Sequence, residues 1–230
     1  MKNKLTAIKN ELFGGWSRGE AIYGWALIAI QILFYMIYPD SLWGFIAGMS
    51  GTICVLLVAK GKISNYFFGF IQTAIMMVLG FQAGLIGETG ENIFYFVSQF
   101  WGIKVWKDNL DEETNIVLTR KLNLPQLFLT VGGISLVTFI LGSIFNNMNG
   151  TQPFIDSFTL VLALVAQLLM VLRYREQWVL WICLNIVSIY QWLTLGNMSL
   201  VALYIAFLIN SIYGFVVWSK QVKENKLKTA

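Results

Sequence analysis

The sequence predicts an all-α polytopic membrane protein with eight transmembrane helices. Of its 230 residues, 57% are hydrophobic and only 12% are charged, and a soluble domain of this size would carry roughly twice that charged fraction. The apolar residues form long continuous stretches without period-two alternation, which favours helices because lipid admits only helices or closed barrels. Basic and acidic residues also alternate between successive connections, as expected for a chain that crosses a bilayer repeatedly.

Eight apolar segments account for the predicted helices in chain order. They cover residues 21–38, 42–59, 63–81, 92–106, 125–145, 154–172, 178–195 and 200–218. Most approach the ~20 residues that a helix needs to cross ~30 Å of hydrocarbon. The fourth is the shortest and contains Lys104, whose long side chain can extend to the interface. Residues 84–91 are predicted to form an external turn, and the residues before the first segment a short amphipathic helix on the cytoplasmic surface.

All 16 Lys and Arg residues lie in or beside alternate connections. They are Lys2, Lys4, Lys9 and Arg18; then Lys60 and Lys62; then Lys104, Lys107, Arg120 and Lys121; then Arg173 and Arg175; and finally Lys220, Lys223, Lys226 and Lys228. The other connections carry only acids, namely Asp40, Glu88, Glu91 and Asp156. The positive-inside rule therefore places both termini in the cytoplasm. A pI near 9 reflects this topology and the anionic lipid surface, so we predict no nucleic-acid partner.

An internal repeat relates two groups of three segments. The pattern aromatic-Gly-x-x-Val-Trp ends the fourth segment at residues 101–106 and recurs at the end of the eighth, at 213–218. We call the step in residue number from Trp106 to Trp218 the repeat offset. Segments two to four therefore correspond to segments six to eight, and the fifth links them. A single linking helix gives both triplets the same orientation, which predicts parallel repeats in a 3+1+3 plan with an extra N-terminal helix.

This plan divides the chain into six parts. They are a cytoplasmic amphipathic N-terminus (1–19), the extra first transmembrane helix (20–40), the first triple-helix repeat (41–106), a cytoplasmic loop with the linker helix (107–145), the second triple-helix repeat (154–218) and a basic cytoplasmic tail (219–230).

The seventh segment carries the pattern W-x-x-W-x-x-x-N, formed by Trp178, Trp181 and Asn185, in a stretch without charged residues. Spacings of three and four place these side chains on one helical face. An amide in hydrocarbon is costly without a partner, so Asn185 is predicted to face the bundle interior or a cavity. Two indoles and an amide suit a flat aromatic ligand with polar edges. The alternative is an interfacial aromatic belt with Asn185 as an interhelical hydrogen-bonding group.

Helical phase and the repeat extend this motif to a candidate binding site. Ser188 continues the face of the seventh segment, and Asn210 and Tyr213 lie together on the eighth. A step larger by one than the repeat offset matches Phe68 with Trp181 and Gln72 with Asn185. The predicted site comprises Trp178, Trp181, Asn185, Ser188, Asn210, Tyr213, Phe68, Gln72, Ser98 and Trp101, with Gln99 beside Ser98 but about 100° away around the helix.

The Trp-Trp-Asn motif followed by Ser188, the 3+1+3 plan and the extra first helix resemble the PnuC vitamin transporters over roughly residues 20–220. The resemblance implies a bacterial cytoplasmic (inner) membrane protein that carries nicotinamide riboside, the substrate of the family's type member. It also implies a site halfway across the membrane between the triplets, a homotrimer, and facilitated diffusion followed by trapping through phosphorylation in the cell. Related groups carry thiamine or riboflavin, and the SWEET sugar transporters share part of the topology.

The candidate residues suit such a substrate. Trp178, Trp181 and Tyr213 can stack on a pyridinium ring, with cation–π attraction of roughly 0.5–2 kcal/mol each in a desolvated site. Asn185, Gln72 and Asn210 can donate to and accept from a carboxamide and ribose hydroxyls.

Missing residue types exclude other functions. The chain has no His, no carboxylate within the middle of a segment, and only two cysteines, Cys54 and Cys183, both mid-segment. We therefore predict that the protein is not an enzyme and binds no cofactor or metal. The absence of a mid-membrane ionisable residue and of a phosphate-binding G-x-x-x-x-G-K motif predicts uniport. A membrane receptor or scaffold is the alternative from another class.

Overall fold

A computed structural model describes residues 9–37, 41–194, 196 and 198–228, and the described structure is helical apart from turns and isolated bridges. Residues 9–13 are helical, and eight longer helices follow. They are α1 (Arg18–Ile37), α2 (Leu42–Ala59), α3 (Asn65–Gln82), α4 (Ile86–Lys107), α5 (Leu124–Asn147), α6 (Pro153–Val171), α7 (Gln177–Thr194) and α8 (Met198–Lys228). The chain separates into two compact units, Met1–Leu118 and Thr119–Ala230.

Five helices of the described chain are long and apolar enough to cross a membrane. They are α1, α2, α5, α6 and the part of α8 at Leu203–Glu224. The other three, α3, α4 and α7, carry most of the predicted site residues. Polar side chains lower their hydropathy, and several of these are buried within the protein: Asn185 is 2% exposed and Gln99 is 3% exposed. Such groups avoid lipid by facing other helices.

The helix boundaries correct one sequence-based expectation and add detail to another. The sequence predicts an external turn over residues 84–91, but α4 begins at Ile86 and is 22 residues long. Glu88 lies in its first turn, where a carboxylate is favourable beside the positive end of the helix dipole. The basic tail predicted after residue 218 is also partly helical, because α8 continues to Lys228. The Lys2 and Lys4 positions of the predicted N-terminal helix lie outside the described residues.

In the first unit, α3 packs between α2 and α4, and α1 contacts α2. The N-terminal segment fastens the turn between α2 and α3. Lys60, whose side chain is 8% exposed, forms a 2.9 Å ion pair with Glu20 and donates to the carbonyl oxygen of Gly15 at 2.9 Å. Glu11 accepts a 3.2 Å hydrogen bond from the backbone N–H of Ser64. These contacts hold the chain before α1 against the start of α3.

In the second unit, α7 packs between α6 and α8, and α5 contacts α6. Here the segment before α5 fastens the turn between α6 and α7. Arg120 donates from Nε to the carbonyl oxygen of Leu172 at 2.9 Å and lies 4.1 Å from the centre of the Tyr174 ring. The carboxylate of Glu176 accepts from the backbone N–H of Leu122 at 3.0 Å. In both units, therefore, the turn before the central helix (α3 or α7) contacts the chain near the start of the outer helix (α1 or α5).

The two turns share one backbone feature at positions related by the repeat offset. Gly61 has φ +68° and Arg173 has φ +65°. Both lie just past a helix end, where a left-handed residue allows the chain to reverse and satisfies the last helical carbonyls. Glycine adopts this conformation readily, whereas arginine adopts it with strain. Burial, followed by the nearby charge of Arg120, also lowers the pKa of Arg173. The repeat therefore extends to backbone geometry that the sequence alone does not display.

Candidate functional site

The centre of the second unit contains a buried polar pair between α7 and α8. Asn185 donates from Nδ2 to the Ser211 hydroxyl at 3.1 Å, and that hydroxyl donates to the carbonyl oxygen of Phe207 at 2.8 Å. As predicted, Asn185 faces the helix bundle rather than lipid, and it is 2% exposed.

Two further polar side chains are buried beside this pair. Ser188, one turn further along α7, is 4% exposed, and Asn210, next to Ser211, is 3% exposed. The α7 helix has no ionisable acid or base of the Asp, Glu, Lys or Arg type, and the charged residues of α8 begin at Lys220. Amide and hydroxyl groups are therefore buried on stretches of α7 and α8 that carry no ionised side chain.

The first unit has a corresponding pair between α3 and α4. Gln99 donates from Nε2 to the Thr73 hydroxyl at 3.1 Å, and Thr73 donates to the carbonyl oxygen of Gly69 at 2.9 Å. The amide oxygen of Gln99 is buried without a hydrogen-bond partner. An unpaired buried acceptor costs about 1–3 kcal/mol. This oxygen lies against α3, where a Cβ on Gly69 would be 2.5 Å from it.

These contacts correct the predicted register of the repeat. The repeat offset leads from Thr73 to Asn185 and from Gln99 to Ser211, so the two polar pairs occupy equivalent positions. The predicted match of Gln72 with Asn185 is therefore wrong by one position. Gln72 points instead toward α2, where a Cβ on Gly51 would lie 2.7 Å from its Nε2. One residue corresponds to about 100° around a helix, which separates Gln72 from the α3–α4 contact.

Thr73 and Ser211 were not among the residues that the sequence motifs indicated. The signal for both was present, because Gly102 and Gly214 in the repeated pattern already define the repeat offset. The same step leads from Gln99 to Ser211 and from Asn185 back to Thr73.

Trp178 packs inside the second unit. It is 3% exposed, and its ring meets Trp218 edge-on with centroids 6.0 Å apart. A Cβ built on Gly214 would lie 2.5 Å from the indole. The ring therefore rests on α8 at a position where that helix has no side chain.

An equivalent cluster lies in the first unit. The ring of Tyr66 meets that of Trp106 edge-on, with centroids 5.3 Å apart. A Cβ on Gly102 would overlap the Tyr66 hydroxyl. The repeat offset relates Tyr66, Gly102 and Trp106 to Trp178, Gly214 and Trp218, so the two clusters occupy equivalent positions.

The aromatic candidates of the predicted site differ in exposure. Trp181 and Tyr213 are half-buried in the second unit, and Phe68 is half-buried in the first. Trp101 is 47% exposed. None of these four rings is as deeply enclosed as Trp178, so their faces are more accessible to a small molecule.

The polar candidates of α4 have different partners. Ser98 is buried and donates to the carbonyl oxygen of Tyr95 at 2.9 Å, within its own helix. Gln99, the next residue, contacts α3 instead. The structure therefore brings Asn185 against α8 and Gln99 against α3.

Carboxylates lie near helix ends rather than beside the polar pairs. Asp156, in the first turn of α6, accepts from Nε2 of Gln191 near the end of α7 at 2.8 Å. Glu91 accepts a short hydrogen bond from the Tyr95 hydroxyl near the start of α4. The polar pairs themselves offer only neutral donors and acceptors. Such groups can bind an uncharged or diffusely charged polar molecule, because they do not require a counter-ion.

Comparison with known proteins assigns the family. Residues 41–220 match the family described as "Nicotinamide mononucleotide transporter". The chain belongs to this family. A "Nicotinamide riboside transporter PnuC" from Neisseria mucosa is 35% identical over 94% of this chain and 87% of that protein. The protein of the same name from Haemophilus influenzae is 36% identical over 94% of this chain and 96% of that one.

A solved PnuC structure is similar in fold. The "Crystal structure of the Vitamin B3 transporter PnuC" has a TM-score of 0.80 and 35% identity, and the match covers 94% of this chain and 97% of that one. Membership of the PnuC family, first suggested by the Trp-Trp-Asn motif, is confirmed. The protein is a multi-pass membrane transporter of a small molecule, like its bacterial relatives.

Proposed function

We propose that this protein carries nicotinamide riboside across the bacterial cytoplasmic membrane by facilitated diffusion. The buried Asn185–Ser211 pair, away from any ionised side chain of α7 and α8, carries the proposal. Two relatives named for this substrate, at 35% and 36% identity over 94% of the chain, support it. The amide and hydroxyls supply donors and acceptors for a carboxamide and ribose, while the neutral surroundings suit a pyridinium charge without holding it as a tight ion pair.

Each repeat has its own proposed substrate contacts. In the second unit they are Trp181, Asn185, Ser188, Asn210 and Tyr213; in the first they are Phe68, Ser98, Gln99 and Trp101. The half-buried rings of Trp181 and Tyr213 would stack on the pyridinium. The unpaired amide oxygen of Gln99 would accept a hydrogen bond. Thr73 and Ser211 would orient the two amides.

We further propose that all eight helices cross the membrane in the 3+1+3 plan, with both termini cytoplasmic and the protein assembled as a homotrimer. The burial of polar side chains on α3, α4 and α7 supports this, since it explains their low hydropathy without removing them from the bilayer. A membrane-impermeant thiol reagent would test the topology. In a variant without Cys54 and Cys183, a cysteine placed at Glu224 should react only from the cytoplasmic side, and one at Glu88 only from outside.

Among the described residues, the two polar pairs consist of neutral side chains only, which favours uniport, with phosphorylation inside the cell converting the nucleoside into a form that cannot leave. A nucleotide would bring about two negative charges to amides and hydroxyls without a cationic partner. Burial of such charge costs several kcal/mol, equivalent to discrimination of about 10³-fold or more. The family description names the mononucleotide, so this discrimination is the sharpest question about substrate identity.

Isothermal titration of the purified protein would answer it. Nicotinamide riboside should bind at least about 10³-fold more tightly than its 5′-phosphate. Tight binding of the phosphate would overturn the proposed site chemistry. Preference for thiamine or riboflavin would retain the transporter and change its substrate.

Proteoliposomes would test the coupling. Uptake of radiolabelled nicotinamide riboside should equilibrate to equal concentrations regardless of imposed proton or sodium gradients. Accumulation that depends on either gradient would contradict uniport. Counterflow of the labelled substrate should be observed, whereas a receptor would bind it without exchange.

A further inference from the structure

The face of α7 that carries Asn185 also carries Trp178, two turns earlier. Trp178 and Asn185 are seven positions apart, so they lie on nearly the same face with an axial separation of about 10 Å. Both meet α8: Trp178 meets Gly214 and Trp218, and Asn185 meets Ser211. The indole therefore contacts the same neighbouring helix as the polar pair, at a place where that helix has no side chain.

The first unit repeats this arrangement with different residues. Tyr66 lies on Gly102 and against Trp106, and Thr73, seven positions after Tyr66, meets Gln99. Tyr66 is 2% exposed and Trp106 is fully buried. An aromatic ring on a glycine thus stands seven positions before a polar pair in both repeats, although neither the ring nor the pair has the same residue types. The aromatic ring and the polar pair therefore recur together, at the same spacing, in both repeats.

We infer that Trp178 is a positioning residue rather than a direct substrate contact, and that Tyr66 has the same role in the first repeat. Each ring, seated on a glycine of the neighbouring helix, sets the separation and register of the helix pair, and thereby holds the polar pair two turns away in its binding geometry. This inference rests on the proposed function, because it concerns how the nicotinamide riboside site is held.

The distances indicate how sensitive this arrangement is. A methyl group at position 214 would lie 2.5 Å from the indole, whereas carbon atoms in contact prefer about 3.5–4.0 Å. The helices would have to separate by roughly 1 Å to relieve this overlap. The Asn185–Ser211 hydrogen bond is 3.1 Å long, and a hydrogen bond at about 3.6 Å is effectively lost. A single methyl group at Gly214 should therefore disturb an amide that it does not touch.

A double-substitution experiment tests this inference in the second unit. Gly214→Ala should weaken binding of nicotinamide riboside at least tenfold, while Trp178→Phe, which keeps an apolar ring, should weaken it threefold at most. The combination Trp178→Phe with Gly214→Ala should restore affinity to within about threefold of Trp178→Phe alone, because the smaller ring leaves room for the methyl group. Affinity is measured by isothermal titration well below the Tm of each variant, so that a purely structural defect leaves the Kd of the folded protein unchanged.

The first unit provides a matched set. Gly102→Ala should weaken binding, and addition of Tyr66→Phe should recover part of the loss by removing the hydroxyl that the new Cβ would overlap. Gly132→Ala is the control variant, because a Cβ there would meet no atom within 4 Å. It should leave Kd unchanged and should not lower Tm, since alanine is the better helix former.

The outcomes separate the two possible roles of Trp178. The indole Nε1 is buried without a hydrogen-bond partner, so Trp178→Phe also removes the one polar group that this side chain could offer a substrate. A tenfold or greater loss of affinity from Trp178→Phe alone, with Tm unchanged, would overturn the inference and make the indole a direct contact. Failure of Trp178→Phe to rescue Gly214→Ala would also overturn it. If the unsubstituted protein does not bind nicotinamide riboside, the proposed function fails instead, and this result is distinct from a loss confined to the variants.

Discussion

The two repeats have different side chains at equivalent positions of their helix pairs. In the first, a long amide on α4 reaches a short hydroxyl on α3, through Gln99 and Thr73. In the second, the amide is on α7 and the hydroxyl on α8, through Asn185 and Ser211. The donor–acceptor distance is 3.1 Å in both. The repeats thus keep the contact between two helices while exchanging which helix supplies the amide, so each unit presents its amide from a different element.

The turns before α3 and α7 differ more strongly. Lys60 binds Glu20 and Gly15 in the first unit, whereas the matching position in the second unit is Leu172, whose carbonyl oxygen accepts from Arg120. A buried ion pair supports one turn, and a cation stacked on an aromatic ring supports the other. Both repeats therefore share their helix packing. The contacts that hold each turn differ, because they come from the chain segment around the start of α1 in the first unit and before α5 in the second.

The largest expected effect comes from removing the charge of Glu20. Glu20→Gln keeps the hydrogen-bonding capacity that pairs with the backbone of Ser17, but it leaves Lys60 buried without an ionic partner. We expect a loss of about 2–4 kcal/mol in the free energy of unfolding, below the range for a fully buried pair because Glu20 is 22% exposed. Thermal unfolding in detergent would measure it. Glu112→Gln, an exposed position in the linker, is the control and should have no effect.

Substitutions in the two polar pairs should separate binding from stability. Asn185→Leu should weaken nicotinamide riboside binding by about 1–3 kcal/mol, with a smaller effect on Tm, because Ser211 retains its bond to Phe207. Thr73→Val should also weaken binding and should lower Tm more than Asn185→Leu does, since it removes the only hydrogen-bond partner identified for the Gln99 amide among the described residues. Titration calorimetry and thermal unfolding of both variants would compare them. Unchanged binding in Thr73→Val would mean that the pair in the first unit does not hold the substrate site.

A smaller effect is expected at Arg120. Arg120→Gln removes the cation above Tyr174 and the hydrogen bond to Leu172. Because Arg120 is exposed, the expected loss is about 1 kcal/mol and should decrease with added salt. Unfolding at low and high ionic strength would measure it. A loss as large as that of Glu20→Gln would show that the two turns are equally dependent on their cation.

The smallest effect concerns the first residues of α3 and α7. Asn65 donates to the carbonyl oxygen of Lys62 at 2.7 Å, whereas both side-chain polar atoms of the equivalent Gln177 are buried without a partner. Gln177→Leu should be neutral or stabilise the protein by less than about 1 kcal/mol, while Asn65→Leu should destabilise it by about 1 kcal/mol. The difference in Tm between these variants measures the comparison. Destabilisation by Gln177→Leu would indicate a role for its amide that the present contacts do not include.

Much of the fold follows from local pattern. Long apolar segments and alternating charge predicted eight helices, and eight longer helices lie within a few residues of most of those segments. The start of α4 differed because a helix can accommodate Glu88 in its first turn, and hydropathy does not register that favourable electrostatic interaction. Local pattern also marked Asn185 as an interior residue, since an amide on an otherwise apolar helix requires a partner.

What the sequence by itself determined was the family, the helical composition and the presence of a repeat, because each depends on residue type and spacing along one chain. Only the tertiary structure decided the register of the repeat, the partners of Asn185 and Gln99, and the burial of Trp178 on Gly214. These depend on how two helices meet, and a shift of one position rotates a side chain by about 100°. Sequence similarity between apolar segments is too weak to distinguish two repeat registers that differ by one residue. The interhelical hydrogen bonds and the aromatic rings packed on glycine distinguish them, because both recur at the same register.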